Sequence, residues 1–274
     1  MRFTKIQATG NDFILIEAGE ERHWSSLAET MCHRHLGIRA DGLIVIISSQ
    51  VADLRMRLFN ADGSEAEACG NGLRCLVRYA LDRGLVNASE LTVETLGGMR
   101  KVRPYKDIIE VDMGKPVFKA DEIPIVIDEI LDIILDYPVV IKGRRLLVTC
   151  LSMGNPHAVC FLDEPIEDFP LLEMGPEVEN HPIFPNRVNF EVANVVGQKQ
   201  VRARVWERGV GETLSCGTGA CAVAVAARLH DYIATDIDIS LPGGILTISW
   251  NGVGEVMLSG PAELAFLGEW PDYA

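Results

Sequence analysis

The chain has 274 residues, 48% of them hydrophobic and 23% charged, which suits a globular protein of one large domain or two smaller ones. Its formal net charge is −14, so its surface repels phosphate backbones, and a nucleic-acid partner is not expected. The opening residues lack the apolar core of a secretory signal, and no apolar run is long enough to cross a bilayer; we therefore expect no membrane association and a cytoplasmic location.

The first half of the chain contains one clearly marked helix. The run from Cys32 to His35 holds residue types that bind metals, but no fourth ligand is indicated, so we interpret these as ordinary helix residues. From Leu73 to Leu81, apolar residues recur at the i, i+3, i+4, i+7, i+8 spacing of a helix with one buried face, and Gly84 is a suitable stop. The segment Leu91–Thr95 alternates with period two, which predicts a strand.

The second half contains a helix of a different kind. The segment from Asp163 to His181 is acidic and contains proline, which predicts a solvated loop rather than a site. The run Ala220–Ala227 is apolar on every side and rich in alanine, which predicts a helix enclosed by its domain. Ile237–Leu241 alternates like a strand, and Asn251-Gly252 between two further apolar runs is a hairpin signal.

The two halves repeat one another. The Cys-Gly-x-Gly sequence that begins at Cys69 recurs 147 residues later at Cys216, in front of a predicted helix both times. Two similar domains account for a repeat of this length, each strand-rich with one central helix, in an α+β arrangement. We place the boundary near residues 115–117, giving domains 1–117 and 118–274, with the tail of about 263–274 a candidate to pack on the first. The other repeated landmarks are Gly10-Asn11 with Gly154-Asn155, Gly97-Gly98 with Gly243-Gly244, and Gly114 with Gly260.

The repeated cysteines suggest a pair of acid/base groups. A thiol at a helix start lies near unpaired backbone N–H groups and the positive end of the helix dipole, so we expect its pKa to be lowered. If Cys69 removes a proton from a carbon beside a carboxylate and Cys216 returns one to the opposite face, the stereocentre is inverted. The helix-start N–H groups would stabilise the charge that develops on the carboxylate. Neither glycine pair completes a dinucleotide-binding fingerprint, and no imine-forming cofactor is needed.

Several motifs spread over the chain closely resemble those of the diaminopimelate epimerase family. The match covers almost the whole chain, and the motifs together are highly specific. They are Phe59-Asn60-Ala61-Asp62-Gly63-Ser64, Ala68-Cys69-Gly70-Asn71-Gly72, Ser152-Met153-Gly154-Asn155-Pro156-His157, Pro185-Asn186-Arg187-Val188-Asn189, Trp206-Glu207-Arg208-Gly209 and Ser215-Cys216-Gly217-Thr218-Gly219.

The resemblance implies a fold and an activity. Members of the family have two pseudo-symmetric halves, each a strand-rich barrel around a central helix, with the substrate between them. They are isomerases that interconvert LL- and meso-2,6-diaminopimelate in lysine and peptidoglycan precursor biosynthesis. They use neither pyridoxal phosphate nor a metal, and they are commonly homodimers.

The resemblance also assigns roles to individual residues. Cys69 and Cys216 correspond to the two acid/base residues, and His157 and Glu207 to polar neighbours that assist them. Arg208 suits a bidentate contact with a carboxylate. The substrate-binding residues that the motifs imply are Asn11, Asn60, Asn155, Asn189, Glu207 and Arg208, with backbone groups of Gly70, Asn71, Gly217 and Thr218 holding the reacting carboxylate.

The chain departs from the family pattern in two loops. Gln7-Ala8-Thr9 stands where the family usually has His-Gly before its Gly-Asn-Asp-Phe, and Arg39 stands where a glycine often precedes Ala-Asp-Gly. Both departures concern the shape of a loop rather than the chemistry.

Two other functions remain open from the sequence. A proline or hydroxyproline racemase would share the paired thiols, but a ring substrate needs no clamp for a distal amino-acid end, and the set Asn155, Asn189, Glu207 and Arg208 argues against it. A non-catalytic binding protein could keep the fold, but loss of the thiols would mark that case, and both are present.

Overall fold

The computed structural model describes residues 1–19, 22–67, 69–128, 131–233 and 235–271. The chain divides into two compact units, one formed by Met1–Asp112 with the segment from Ser259 onward, the other by Met113–Leu258. The units therefore divide after Asp112, whereas the sequence suggested a division after Val117. Residues 272–274 of the predicted tail lie outside the described residues.

The described residues form strands and four helices. The helices are α1 (Trp24–Cys32), α2 (Gly70–Asp82), α3 (Leu171–Glu179) and α4 (Gly217–Leu229). The strands are β1 (Arg2–Ala8), β2 (Asn11–Glu17), β3 (Gly42–Ile47), β4 (Leu54–Asn60), β5 (Glu65–Ala66), β6 (Leu91–Thr95), β7 (Gly98–Tyr105), β8 (Ile108–Asp112), β9 (Ile134–Ile141), β10 (Arg144–Ser152), β11 (Pro156–Phe161), β12 (Asn189–Gly197), β13 (Gln200–Glu207), β14 (Gly211–Thr213), β15 (Asp236–Leu241), β16 (Gly244–Ser249), β17 (Met257–Pro261) and β18 (Glu263–Glu269).

In the first unit the strands pair in the order β18–β1–β2–β3–β4–β6–β7–β8, with β5 beside β4. The pairs β2–β3 and β4–β6 are parallel and the others antiparallel. Helix α2 packs against β18, β1, β2, β3, β4, β7 and β8. The strands therefore surround a central helix.

The second unit repeats this order. Its strands pair as β9–β10–β11–β12–β13–β15–β16, with β14 beside β13, and the pairs β11–β12 and β13–β15 are parallel. Helix α4 packs against β10, β11, β12, β13, β15 and β16. The outer strand β9 precedes β10 in the chain, whereas its counterpart β18 comes from the other end of the chain to pair with β1.

The register of the strands repeats as well. Phe13 pairs with Gly42 across β2–β3, and His157 pairs with Asn189 across β11–β12. Leu58 pairs with Ala66 across β4–β5, and Val205 pairs with Thr213 across β13–β14, so the 147-residue offset of the two cysteines holds here also. The α+β fold of two pseudo-symmetric halves is confirmed.

The two central helices are buried as their sequences predict. Helix α4 is buried from Gly219 to Ala227, since its alanine and valine residues leave no polar face. Helix α2 ends at Asp82, and Gly84 follows with φ of 67°, a left-handed conformation that glycine adopts without steric strain.

Two sequence-based expectations were wrong. The segment from Asp163 to His181 contains α3 rather than only solvated loop, because Leu171, Met174 and Val178 fall on one face of a helix and pack into the core of the second unit. In the first unit α1 ends at Cys32, and the Nδ1 atom of His33 accepts hydrogen bonds from the backbone N–H groups that follow, so His33 to His35 are not helical.

The two unusual loops keep conformations that favour glycine. Thr9 and Arg39 have φ of 49° and 66°. Arg74 donates to the Thr9 hydroxyl at 3.1 Å, and the Lys5 ammonium donates to the Arg39 carbonyl, so buried side chains hold both loops. Arg39 thus adopts the backbone shape that a glycine would adopt there, at an expected cost of about 1 kcal/mol.

No helix in the described ranges is both long and apolar enough to cross a membrane.

Candidate active site

Cys69 and Cys216 have the same position at the starts of the two central helices. Each is the N-cap residue, with extended backbone angles of −145° and 122° at Cys69 and −125° and 118° at Cys216. The backbone N–H of Gly72 donates to the Cys69 sulfur at 3.5 Å, and that of Gly219 donates to the Cys216 sulfur at 3.4 Å. Both sulfurs therefore lie at the positive end of a helix dipole, where a developing negative charge is stabilised.

Two predicted binding residues lie beside Cys69. The Asn11 Oδ1 atom is 3.9 Å from the Cys69 sulfur and accepts a hydrogen bond from the Asn71 side chain at 3.4 Å. The Asn11 side chain donates in turn to Asp41 at 2.5 Å, which fixes its orientation. Asn71 is buried, and Gly70 before it is the first residue of α2.

Asn60 ends β4, and its side chain donates to the Ser64 hydroxyl at 2.9 Å in the turn that leads to β5. It is exposed, and its counterpart 147 residues later is Glu207 at the end of β13. The Glu207 carboxylate accepts a hydrogen bond from the Thr213 hydroxyl at 2.5 Å.

A chain of hydrogen bonds connects Cys216 with three predicted site residues. The Thr218 hydroxyl is 3.4 Å from the Cys216 sulfur and accepts from the Asn155 amide at 3.4 Å. The Asn155 Oδ1 atom is 2.9 Å from Nε2 of His157. Asn155 lies in the loop before β11 and Thr218 lies in α4. The fold thus brings together residues that are 63 positions apart in the sequence.

This series of hydrogen bonds ends at Glu191, a residue that the sequence analysis did not identify. Its Oε1 atom is 2.7 Å from Nδ1 of His157, and both side chains have 0% exposure. Glu191 is the middle of the buried run Asn189-Phe190-Glu191-Val192-Ala193 in β12. A carboxylate inside a buried strand is rare unless it is paired, and that signal was available from the sequence once the strand was located.

The environment of Cys216 changes its acidity. Burial, together with the negative charges of Glu207 and Glu191, raises the pKa of the Cys216 thiol well above its ordinary value, although the Thr218 hydroxyl and the Gly219 N–H act in the opposite direction. The expectation of a lowered pKa at a helix start is therefore wrong for Cys216, because desolvation outweighs the helix-start donors. This thiol is suited to giving a proton.

The other cysteines with shifted acidity have ordinary structural positions. Burial raises the pKa of Cys32 to about 12 and that of Cys160 to about 11, and it raises the pKa of Cys75 and Cys150 too. Cys69 is more exposed than these four cysteines, because it is only half-buried. A buried thiol of raised pKa is a poor nucleophile.

Asn189 begins β12, Arg208 directly follows β13, and the two residues lie close together. The Asn189 side chain donates to the Pro156 carbonyl at 2.8 Å and accepts from the backbone N–H of Arg208 at 2.9 Å. The guanidinium of Arg208 donates to the Asn186 carbonyl at 3.1 Å. Asn189 therefore fixes the backbone that carries Arg208.

Glu179 in α3 was also missed. Its carboxylate accepts from Nε1 of Trp206 at 2.7 Å and from the backbone N–H of Gly209 at 2.8 Å, on both sides of Glu207 and Arg208. It lies in the segment interpreted as loop, where no sequence pattern indicates a carboxylate at this turn.

In the part of the chain that the structure describes, no group of three or more His, Cys, Asp or Glu side chains is arranged to hold a metal ion.

Comparison with known proteins gives a consistent result. A family model described as diaminopimelate epimerase matches residues 3–119 and 149–265. Relatives named diaminopimelate epimerase include those of Acetivibrio thermocellus, 45% identical over 98% of both chains, and Moorella thermoacetica, 44% identical over 99% of both chains. The one from Methanococcus maripaludis is 40% identical over 98% of this chain and 99% of its own.

Solved structures with this fold are more distant. A hydroxyproline epimerase from Agrobacterium vitis has a TM-score of 0.71 at 15% identity, covering 98% of this chain and 91% of its own. A phenazine biosynthesis protein of the PhzF family from Bacillus anthracis has a TM-score of 0.69 at 15% identity, covering 99% of both chains. At such identities the likeness concerns the fold alone.

Proposed function

Because the chain belongs to the diaminopimelate epimerase family, we propose that it interconverts LL- and meso-2,6-diaminopimelate with Cys69 and Cys216 as its two bases. The observation that carries the proposal is the matched pair of N-cap thiols, each receiving an N–H from the residue three positions on. Relatives of 40–45% identity over nearly the whole chain support the choice of substrate.

The reaction has two proton transfers. One sulfur, as thiolate, forms an S–H bond with the α-proton as the Cα–H bond breaks, and the electron pair moves into the adjacent carboxylate. The other sulfur, as thiol, then gives its proton to the opposite face of that carbon and becomes a thiolate. This mechanism requires both sulfurs to come within reach of one α-carbon.

The two thiols have different starting states in this proposal. Since its pKa is raised, Cys216 begins as the thiol that returns the proton. Cys69 is then assigned the thiolate that removes one, because the mechanism requires one thiolate and one thiol. Their roles exchange in the reverse reaction. Glu207 acts on Cys216 through its charge, and His157 acts on it indirectly, through the hydrogen bonds of Asn155 and Thr218.

The substrate carboxylates need donors in an acidic protein. We assign the reacting carboxylate to the backbone N–H groups of Gly70 and Asn71 and of Gly217 and Thr218, because helix starts bind anions. Arg208 would bind the distal carboxylate, as a guanidinium forms two parallel hydrogen bonds with one. The amide side chains of Asn11, Asn60, Asn155 and Asn189 would bind the remaining polar groups.

The family resemblance supports further parts of the proposal. The enzyme would act without pyridoxal phosphate or a metal, in the cytoplasm, on the route to lysine and peptidoglycan precursors, and as a homodimer. Light scattering of the purified protein would test the last of these, since a monomeric mass at assay concentrations contradicts it.

Deuterium uptake from D2O tests the proposed reaction. Reduced protein is incubated with LL-diaminopimelate or with L-proline, and incorporation at the α-carbon is followed by mass spectrometry. We expect uptake into diaminopimelate only. Uptake into proline alone would favour a proline racemase, and no uptake with folded, reduced protein would favour a binding protein.

A further inference from the structure

The two units differ in charge at the residues beneath the starts of their central helices. By strand register, His157 corresponds to Phe13 and Glu191 to Ile44. Ile44 pairs with Leu58 on β4, and Glu191 pairs with Val205 on β13. The second unit therefore holds a buried ionisable pair where the first holds two apolar side chains.

Contacts with the helix-opening glycines confirm the equivalence of these positions. A Cβ atom on Gly72 would lie 3.4 Å from the Ile44 side chain, and one on Gly219 would lie 2.9 Å from Oε1 of Glu191. Each side chain thus lies directly against the glycine that donates its N–H to the cysteine. Since the first unit packs with Phe and Ile, the fold itself does not require a charged pair here.

Burial of this ionisable pair is energetically unfavourable. Glu191 has 0% exposure, and its Oε2 atom has no hydrogen-bond partner among the described residues. Burial raises the pKa of the Glu191 carboxyl, with Glu207 acting in the same direction and His157 in the opposite one. Apolar residues of similar volume generally replace a buried ionic pair without loss of stability.

Geometry indicates what the pair does. Oε1 of Glu191 contacts Nδ1 of His157, and Nε2 on the other side of the ring faces Oδ1 of Asn155, which is an acceptor, so Nε2 donates in that contact. Asn155 then presents its amide N–H to the Thr218 oxygen, so the Thr218 hydroxyl hydrogen is free to be donated to the Cys216 sulfur 3.4 Å away.

We infer that Glu191 is a positioning residue: it fixes the His157 ring and, through Asn155 and Thr218, directs a hydroxyl donor at Cys216. It does not contact the reacting atoms. The inference rests on the proposed role of Cys216, and it explains why the duplicated halves differ at these two positions.

Two substitutions of Glu191 separate its hydrogen bond from its charge. Glu191→Gln removes the charge but keeps a partner for Nδ1, whereas Glu191→Ile copies the first unit and removes both. The readout is the rate at which iodoacetamide alkylates Cys216 across the pH range, in a Cys69→Ala background and resolved by peptide mass spectrometry. This assay needs no turnover, so it can succeed or fail independently of the proposed epimerase activity.

The charges that act on Cys216 are those of Glu207 and Glu191. We expect Glu191→Gln to lower the pKa of Cys216, because one negative charge is lost and the hydroxyl donor is kept. Glu191→Ile should alkylate about fivefold more slowly than Glu191→Gln near neutral pH, because a hydrogen bond to the thiolate is lost. In a Thr218→Val background this difference should disappear. Equal rates in the two variants, or a difference that persists in Thr218→Val, would overturn the inference.

A matched control and a double variant complete the test. Glu212→Gln removes a carboxylate of strand β14 that pairs with Arg204 on β13, and it should leave Cys216 alkylation unchanged. Glu191→Ile with His157→Phe restores the apolar pair of the first unit, so it should fold with at least the stability of the native chain and yet lose about tenfold or more in turnover. Native turnover and thiol reactivity in this double variant would show that the pair is only structural.

Discussion

Gly219 lies directly against the carboxylate of Glu191, with 2.9 Å between Oε1 and the position that a Cβ atom would occupy. The same Cβ would lie 3.3 Å from Cβ of Cys216. The helix start that presents the thiol, the thiol itself and the buried carboxylate are therefore packed as one group.

This packing predicts that two matched substitutions will have different effects on the free energy of unfolding. Gly219→Ala should lower the free energy of unfolding by about 1–3 kcal/mol, since the new methyl group must displace a buried carboxylate. Gly72→Ala places its methyl group at 3.4 Å from Ile44, an ordinary contact, and the higher helix propensity of alanine should make it neutral or slightly stabilising. Urea unfolding of both variants checks the contrast, and equal losses would contradict it.

Loss of either proposed base should abolish epimerisation. Cys69→Ala and Cys216→Ala each remove one proton carrier, so we expect the rate of LL-to-meso interconversion, followed by chiral chromatography, to fall by about a thousandfold or more. Cys150→Ala, in the core of the second unit, is the control, and its turnover should stay within about twofold of the native value once the fraction of folded protein is equal. Substantial activity in either base variant would mean that the inversion uses another group.

Alkaline pH should destabilise the fold partly through Cys32. The pKa of this thiol is raised from 9.0 to about 12, so the folded state holds its proton in a range where the unfolded chain releases it. Stability that is complete below pH 9 is therefore lost as the pH rises toward 12, at up to about 1.4 kcal/mol per pH unit. Denaturant unfolding between pH 8 and 11 should show a steeper decline for the native chain than for Cys32→Ala, and parallel declines would refute this.

Glu179 should affect substrate binding more than the chemical step. It accepts hydrogen bonds from Trp206 and Gly209, so Glu179→Gln disturbs the turn that carries Arg208. We expect KM for diaminopimelate to rise by about tenfold with a smaller change in kcat. The control is Glu177→Gln on the same helix. The Glu177 carboxylate forms an exposed ion pair with Lys142, and its replacement should change neither constant.

Oxidation should test whether the two sulfurs reach one carbon. If they do, mild oxidation can join Cys69 to Cys216 and stop turnover, and dithiothreitol should restore it. Peptide mapping of the oxidised protein should recover the linked pair. Full activity after both Cys69 and Cys216 have been oxidised would count against a shared site.

Much of the architecture follows from local patterns. The repeat of Cys69 at Cys216 located both helix starts, and the bounds of β6 agree with its period-two alternation. Helix α3 was missed because Pro176 and its acidic neighbours hid the spacing of Leu171, Met174 and Val178. That spacing indicates a helix only when a hydrophobic core is present for the apolar face to pack against.

By itself, the sequence determined that Cys69 and Cys216 cap two helices, because an N-cap contact joins residues only three positions apart. The tertiary structure decided how the Cys216 thiol behaves. Its raised pKa depends on burial and on carboxylates from β12 and β13. Glu191 meets His157 only because β11 and β12 are paired in register. Desolvation and long-range charge depend on the whole packed unit, so no local pattern could indicate that the pKa of Cys216 is raised or that a buried carboxylate lies beneath it.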